Sequence, residues 1–189
     1  MTMGLALFAV VAWMPVTSEA AGVEDSLNYL ELGYRHSDFD KLPTSKEAYV
    51  RGSVYLESDV SLFFEGAEGS FDNNVGTSDT HSLVRAGLAI NTPMHFGYWQ
   101  LAGSVASEKY GSASADNYGR IEYGAHGRAA NGFGWDAALL YNFLDDRLDR
   151  KAGLNLGIRY KFTKTFGVVL DGEGYSNDKA YHLGLQWYF

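Results

Sequence analysis

Residues 181–189 read YHLGLQWYF, and an apolar or aromatic side chain occupies every second position of this stretch. Successive side chains of a β-strand point to opposite faces of the sheet, so this alternation gathers the apolar residues on one face. The stretch is therefore predicted to be a β-strand with one apolar and one polar face. The apolar face consists of Tyr181, Leu183, Leu185, Trp187 and Phe189.

The same alternation, with a period of two residues, recurs along the chain from residue 27 onward. The ten segments that show it are 27–36, 48–56, 60–66, 81–90, 97–107, 118–128, 135–143, 153–162, 166–175 and 180–189. Most of them match the ~9–11 residues that a tilted strand needs to cross a bilayer. We therefore predict an all-β fold, a closed antiparallel up-and-down transmembrane β-barrel of ten strands, with eight or twelve strands as alternatives.

The two faces of these segments differ in charge. No Asp, Glu, Lys or Arg falls on the apolar register, whereas the opposite register holds seven bases and six acids. Because an unpaired buried charge is costly, these residues are expected to pair inside the barrel as a lumenal charge network. The predicted network consists of Glu31, Arg35, Arg51, Glu65, Arg85, Arg120, Glu122, Asp136, Arg159, Asp171 and Glu173.

Alternation alone does not decide which face points outward, because a soluble lipocalin-type barrel alternates with its apolar side inside. The links between segments favour the apolar side outside. Links after odd-numbered segments are mostly long and polar, such as 37–47 and 67–80, whereas links after even-numbered segments are mostly short, such as 57–59 and 163–165. Long loops at one rim and short turns at the other are typical of outer-membrane barrels.

Aromatic side chains on the apolar register lie near the two predicted rims, where amphipathic rings meet the interface between membrane and water. An uncharged outer face also suits lipid, where an Arg at the midplane would cost roughly 2–4 kcal/mol. We therefore expect the apolar register to face the membrane. The aromatic residues predicted at the short-turn interface are Trp99, Trp135, Phe162, Phe166 and Trp187.

Residues 4–16 form an apolar run that is too short to span a membrane and has the length of a signal-peptide core. Small residues at Ser18 and Ala20 fit a cleavage site, although no Lys or Arg precedes the run. We expect a signal peptide at 1–20 and an outer-membrane barrel at 21–189, with a buried N-terminal helix as the alternative for the run. An even strand number would place both termini on the periplasmic side.

Composition argues against several classes of function. With 23 acids against 15 bases, the net charge is −8, which disfavours nucleic acid as a partner. The absence of Cys excludes disulfides and thiolate metal sites. The five His residues show no metal-binding spacing, and His126 and His182 are predicted on the lumenal register. No cofactor or metal site is predicted.

Within residues 181–189, the polar His182 is followed by Gly184 and by two spaced aromatic residues at the end. This stretch resembles the C-terminal signal of bacterial outer-membrane barrels. The chain as a whole is similar to the small barrels of the OmpA-membrane-domain and OmpX type, although those have eight strands. The resemblance implies outer-membrane lipid, lipopolysaccharide and the barrel-assembly machinery as partners, and it implies no functional residues. The residues expected to carry the assembly signal are Tyr181, Leu183, Gly184, Leu185, Trp187 and Phe189.

These observations predict a structural or surface-interaction role, with the lumen filled by paired charges, and no enzymatic activity. A narrow channel for ions or small solutes is one alternative, because the same charges would line a polar pore. A hydrolase at the outer rim, similar to the omptin family, is another, since Asp38 and Asp40 lie in one long link and Asp79 and His81 end the next. The sequence indicates no extracellular ligand.

Overall fold

A computed structural model describes residues 27–38, 44–56, 59–72, 78–129, 131–143 and 151–189. The described chain is almost entirely β-strand, as the alternation predicts. The strands are β1 (Tyr29–Asp38), β2 (Ser45–Tyr55), β3 (Val60–Asp72), β4 (Ser78–Met94), β5 (Gly97–Tyr110), β6 (Asp116–Arg128), β7 (Phe133–Phe143), β8 (Ala152–Lys161), β9 (Phe166–Gly174) and β10 (Lys179–Tyr188). The expected signal peptide at 1–20 lies outside the described residues.

Each strand pairs antiparallel with the strands before and after it, and β1 pairs with β10 to close the barrel. The closing register joins Tyr29 to Tyr188 at one rim and Asp38 to Lys179 at the other. Closure gives every strand two neighbours, which removes the edges that lipid could not satisfy. The prediction of a closed, ten-stranded, antiparallel barrel is confirmed.

The strand ends at the long-loop rim extend further than the sequence predicts. Strand β3 continues to Asp72 rather than ending at residue 66, and β2 begins at Ser45 rather than at residue 48. In these extensions the outward positions are polar, as at Lys46 and Glu68, so that apolar alternation is lost although pairing continues. The apolar outward residues of the strands form a band around the barrel, the apolar belt. Strand pairing therefore continues beyond this belt toward the long-loop rim.

Solvent accessibility alternates strongly along each strand. In β10, Leu183 is 55% and Leu185 is 64% exposed, whereas His182 is 1% and Gln186 is 2% exposed. The apolar register therefore faces outward and the polar register faces the lumen, opposite to a lipocalin-type barrel. No helix among the described residues is long and apolar enough to span a membrane.

Several outward-facing aromatic rings cover a glycine in the neighbouring strand. Phe143 lies over Gly119 and Trp135 lies over Gly127, and in each case the two residues are direct partners in the β6–β7 pairing. A side chain on either glycine would collide with the ring. Pairing an aromatic residue with a glycine in this way lets the ring lie flat on the sheet.

Candidate functional site

The buried ionisable side chains of the described residues lie in the lumen of the barrel. A connected network of guanidinium and carboxylate groups crosses the lumen at mid-height. Arg85 on β4 stands at its centre, with Nη2 donating to Glu65 at 2.6 Å and Nη1 donating to Glu122 at 2.7 Å. All three side chains are largely buried, so these contacts are poorly screened by solvent.

Arg120 and Glu173 make a bidentate contact between β6 and β9, which are not neighbours in the sheet. Nη1 donates to Oε1 at 3.0 Å and Nη2 donates to Oε2 at 3.2 Å. Just beyond the end of β9, Tyr175 completes the group, because Arg120 donates to its hydroxyl oxygen at 2.6 Å. Burial raises the pKa of Tyr175 above its ordinary value, and the Glu173 carboxylate acts in the same direction, so the phenol stays neutral.

A second crossing contact joins β2 to β9. Nη1 of Arg51 donates to Asp171 at 3.1 Å, and the other carboxylate oxygen of Asp171 lies 2.6 Å from Nδ1 of His182. Arg51 also lies within ion-pair distance of Glu31 and Glu65, which connects this contact to the centre of the network. The lumen is thus crossed in two directions by charged side chains.

The eleven residues predicted as a lumenal charge network all lie on inward positions. Nine of them belong to the connected network just described, with Arg35 joining it through Glu65 at 3.7 Å. Asp136 and Arg159 form a separate pair nearer the short-turn rim. The outward face, in contrast, is apolar along the strand centres. The chain has the architecture of a small outer-membrane β-barrel.

Solved structures with a similar fold are outer-membrane proteins. The chain is similar to the KdgM porin in complex with disordered oligogalacturonate, with 14% identity, a TM-score of 0.47 and coverage of 84% of this chain and 99% of that chain. It is also similar to outer membrane phospholipase A from Escherichia coli, with 11% identity, a TM-score of 0.44 and coverage of 85% and 96%. Ail of Yersinia pestis shows 14% identity, a TM-score of 0.33 and coverage of 85% and 97%.

At such identities the similarity concerns the fold alone. No protein-family model matches the chain, and no curated protein matches it in sequence.

Sequence reasoning missed a second buried polar cluster near the long-loop rim. His81 on β4 is fully buried, with Nδ1 2.7 Å from Glu47 on β2 and Nε2 2.9 Å from Glu108 on β5. Its ring stacks on Tyr110, whose hydroxyl donates to Glu108 at 2.6 Å. With both carboxylates ionised, a ring that donates at both nitrogens is an imidazolium.

Glu47 reaches His81 across β3 because Gly69 lies between them. Gly69 pairs with Glu47 on one side and with His81 on the other, and a Cβ on it would collide with the Glu47 side chain and backbone. Glu47 and Glu108 each lie one residue beyond the strand ends predicted from the sequence. The inward neighbours of Gly69 along β3 are the apolar Ala67 and Phe71, so the sequence around this glycine gave no signal for the cluster.

The residues of the expected C-terminal assembly signal divide between the two faces. Its apolar members all point outward, as in the other strands. Gly184 points inward, where a Cβ would lie 2.5 Å from the hydroxyl of Tyr49 and 3.0 Å from Glu31. That hydroxyl donates to Glu31 at 2.5 Å. The glycine of this stretch therefore makes room for a lumenal hydrogen bond.

The predicted interface aromatics all lie outside the barrel. Trp99 stacks on Tyr123 with ring centroids 5.5 Å apart, and Trp135 stacks on Phe96 at 6.3 Å. Phe162, Phe166 and Trp187 are each about half exposed. These positions form an aromatic band near the short-turn rim.

A cavity of about 100 Å³ lies in the lumen on the short-turn side of the network. His126 lines it and stacks on Tyr98 with centroids 4.6 Å apart. Five buried atoms of its lining make no hydrogen bond with the described residues: Arg51 Nε, Arg85 Nε, His126 Nδ1, Asn155 Oδ1 and Arg159 Nε. Polar atoms of this kind are usually satisfied by water, and a cavity of this volume holds about three water molecules.

Of the residues considered for a rim hydrolase, the structure places Asp38 and His81 apart. Asp38 lies on the exposed outer face of β1, opposite Lys179, whereas His81 is sealed inside between two carboxylates. Asp40 lies outside the described residues. Within the described ranges, no three His, Asp or Glu side chains are placed to hold a metal ion.

Proposed function

We propose that this chain is an integral outer-membrane barrel whose lumen is closed and whose role is structural or surface-directed. The observation that carries the proposal is the pair of crossing contacts, Arg120 with Glu173 and Arg51 with Asp171, which fill the lumen at mid-height. The first contact is buried and the second is partly buried, and each joins strands that are not neighbours.

The membrane location is supported by the outer face. Large apolar side chains that are about half exposed in water would be unfavourable in a soluble protein, and patches of this extent mark contact with a membrane or another protein. Strands β1 and β10 begin and end at the short-turn rim, so we place both termini in the periplasm. Lipopolysaccharide and the barrel-assembly machinery are the partners that follow from this location.

The closed lumen is supported by an apolar layer between the network and the long-loop rim. Tyr49, Ala67, Leu83, Ala106 and Tyr118 form this layer on five consecutive strands. These side chains cover half of the lumenal wall above the network, and together with the two crossing contacts they narrow the path available to a hydrated ion. We therefore favour a scaffold that presents its long-loop rim outside the cell.

Membrane fractionation and planar-bilayer recording together test the proposal. The native protein should remain in the outer-membrane fraction after washing at high pH and should give no reproducible unitary current steps. The double variant Arg120→Ala/Glu173→Ala removes one crossing contact without leaving a lone charge, and it should leak. A native protein that conducts in regular steps would contradict the closed lumen.

The cavity favours a second candidate, a narrow channel for ions or small solutes. Its polar lining and its five buried atoms without a hydrogen bond to the described residues are features that a water-filled passage would share. Stable current steps from the native protein, abolished by Asn155→Leu inside the cavity but not by Leu183→Ala on the outer face, would favour the channel. Catalysis is not proposed, and the absence of lipid or peptide hydrolysis in lipopolysaccharide-containing micelles would agree with this.

A further inference from the structure

The outer face of β2, β3 and β4 differs from the rest of the barrel wall in its aromatic content. Among the described outward positions of these strands, Phe64 is the one aromatic residue, and its ring packs against Gly52. Aromatic residues at the rims anchor a barrel at the two interfaces of the bilayer. The aromatic band is therefore interrupted on this face. On the remaining strands the exposed aromatic residues include Tyr34, Trp99, Tyr123, Tyr141, Phe143, Tyr160, Phe166, Tyr181 and Trp187.

The apolar belt on β3 and β4 is short for a bilayer. It covers residues 60–66 on β3 and 84–90 on β4, and belts no taller lie at 30–34 on β1 and at 166–170 on β9. With a rise of ~3.3 Å per residue and a tilt of ~40°, the belt is about 18 Å tall on β3 and β4, against the ~25 Å apolar band of an outer-membrane barrel. A short apolar surface is accommodated by thinning of the bilayer or by contact with another protein.

Two opposite charges stand side by side above this short belt. Lys46 and Glu68 are exposed and point outward, and neither makes an ion pair with another described residue. Their direct partners in the β2–β3 pairing are Ser70 and Ala48. On β1 and β10, the outward charges Asp38 and Lys179 lie directly opposite each other. Lys46 and Glu68 therefore have no oppositely charged residue directly across from them in the sheet, unlike Asp38 and Lys179.

We infer that the β2–β4 face binds a second copy of this chain in the membrane. A two-fold axis through this face would bring Lys46 of each copy to Glu68 of the other, because a two-fold interface is self-complementary. The aliphatic side chains of β3 and β4, such as Leu62, Val84 and Leu88, would pack on their equivalents below these ion pairs. Protein contact would replace lipid where the belt is short. The inference rests on the membrane location proposed above.

Cysteine cross-linking tests this inference directly, because the chain has no Cys. Leu62→Cys, Val84→Cys and Leu88→Cys place single thiols on the β2–β4 face, and Leu139→Cys and Leu183→Cys are controls with similar exposure elsewhere on the belt. With a short bifunctional thiol reagent applied to outer-membrane vesicles, at least one variant of the first set should give a dimer band. Dimer yields no higher than those of the controls would overturn the inference and would mean that lipid covers the face.

Charge reversal provides a second readout. In the Val84→Cys background, Lys46→Glu and Glu68→Lys should each lower the dimer yield about fivefold, since a two-fold interface loses both of its ion pairs. The double reversal should restore the yield, whereas Lys151→Glu, at an exposed position directly before β8 on the far side of the barrel, should leave it unchanged. Equal yields from all charge variants would overturn the pairing of Lys46 with Glu68.

The same preparations separate this inference from the proposed location. Recovery of the native protein outside the membrane fraction would refute the proposed function itself. Recovery in the outer membrane with no face-specific dimer would refute only the interface.

Discussion

The guanidinium of Arg120 and the carboxylate of Glu173 meet in parallel across the lumen, through two hydrogen bonds of 3.0 and 3.2 Å, although 53 residues separate them in the chain. Their strands, β6 and β9, have two others between them in the sheet. The contact therefore depends on the curvature of the closed barrel and not on strand pairing. It connects two separated parts of the wall through largely buried side chains.

Arg120→Ala should destabilise the barrel by about 3–5 kcal/mol, because it leaves the Glu173 carboxylate buried without its main cationic partner. The free energy of unfolding, measured by reversible urea titration in lipid vesicles, checks this. Lys164→Ala in the exposed 162–165 turn is the control and should change stability by less than about 0.5 kcal/mol. A loss for Arg120→Ala no larger than that of the control would show that the contact contributes little.

Gly184→Ala should destabilise the barrel by about 1–3 kcal/mol, because the added methyl group overlaps the Tyr49 hydroxyl. Tyr49→Phe removes that hydroxyl, so the double variant should lose less stability than the sum of the two single losses. Gly103→Ala is the matched control, since a Cβ there would meet no atom within 4 Å. Strict additivity of Gly184→Ala and Tyr49→Phe would argue against the overlap.

Leu88→Arg and Ser82→Arg place the same charge on the same face of β4 at two depths. Leu88 lies within the apolar belt, and Ser82 lies above it. The first substitution should cost about 2–4 kcal/mol and the second about 0–1 kcal/mol of folding free energy in lipid. Equal costs at the two positions would contradict the assignment of the belt to the bilayer.

His81→Gln should destabilise the long-loop rim, because an amide side chain cannot donate to Glu47 and Glu108 from opposite sides as the imidazolium does. A loss of about 1–3 kcal/mol is expected for breaking buried hydrogen bonds of this kind. The loss should lower the temperature at which the folded protein changes its migration on a gel run without boiling. His95→Gln in the exposed turn between β4 and β5 should leave that temperature unchanged.

The sequence alone was sufficient to predict the strands and to predict which of their residues face outward. In β10, Leu183 and Leu185 alternate with His182 and Gln186, and a two-residue period assigns the two sets to opposite faces wherever the strand lies. The number of strands follows from counting such segments. The extension of β3 beyond residue 66 escaped prediction because its outward residues, Glu68 and Ser70, are polar and its inward Phe71 is apolar, which reverses the alternation found in the belt.

Which lumenal groups meet was decided by the tertiary structure. Periodicity placed Arg120 and Glu173 on the inward face, but it does not measure distances across a closed wall, which depend on strand tilt and the stagger of neighbouring strands. The Glu47, His81 and Glu108 cluster arose in the same way, from three strands brought into register around Gly69. Local chemistry therefore determined the strands and their faces, whereas closure of the barrel determined the contacts between them.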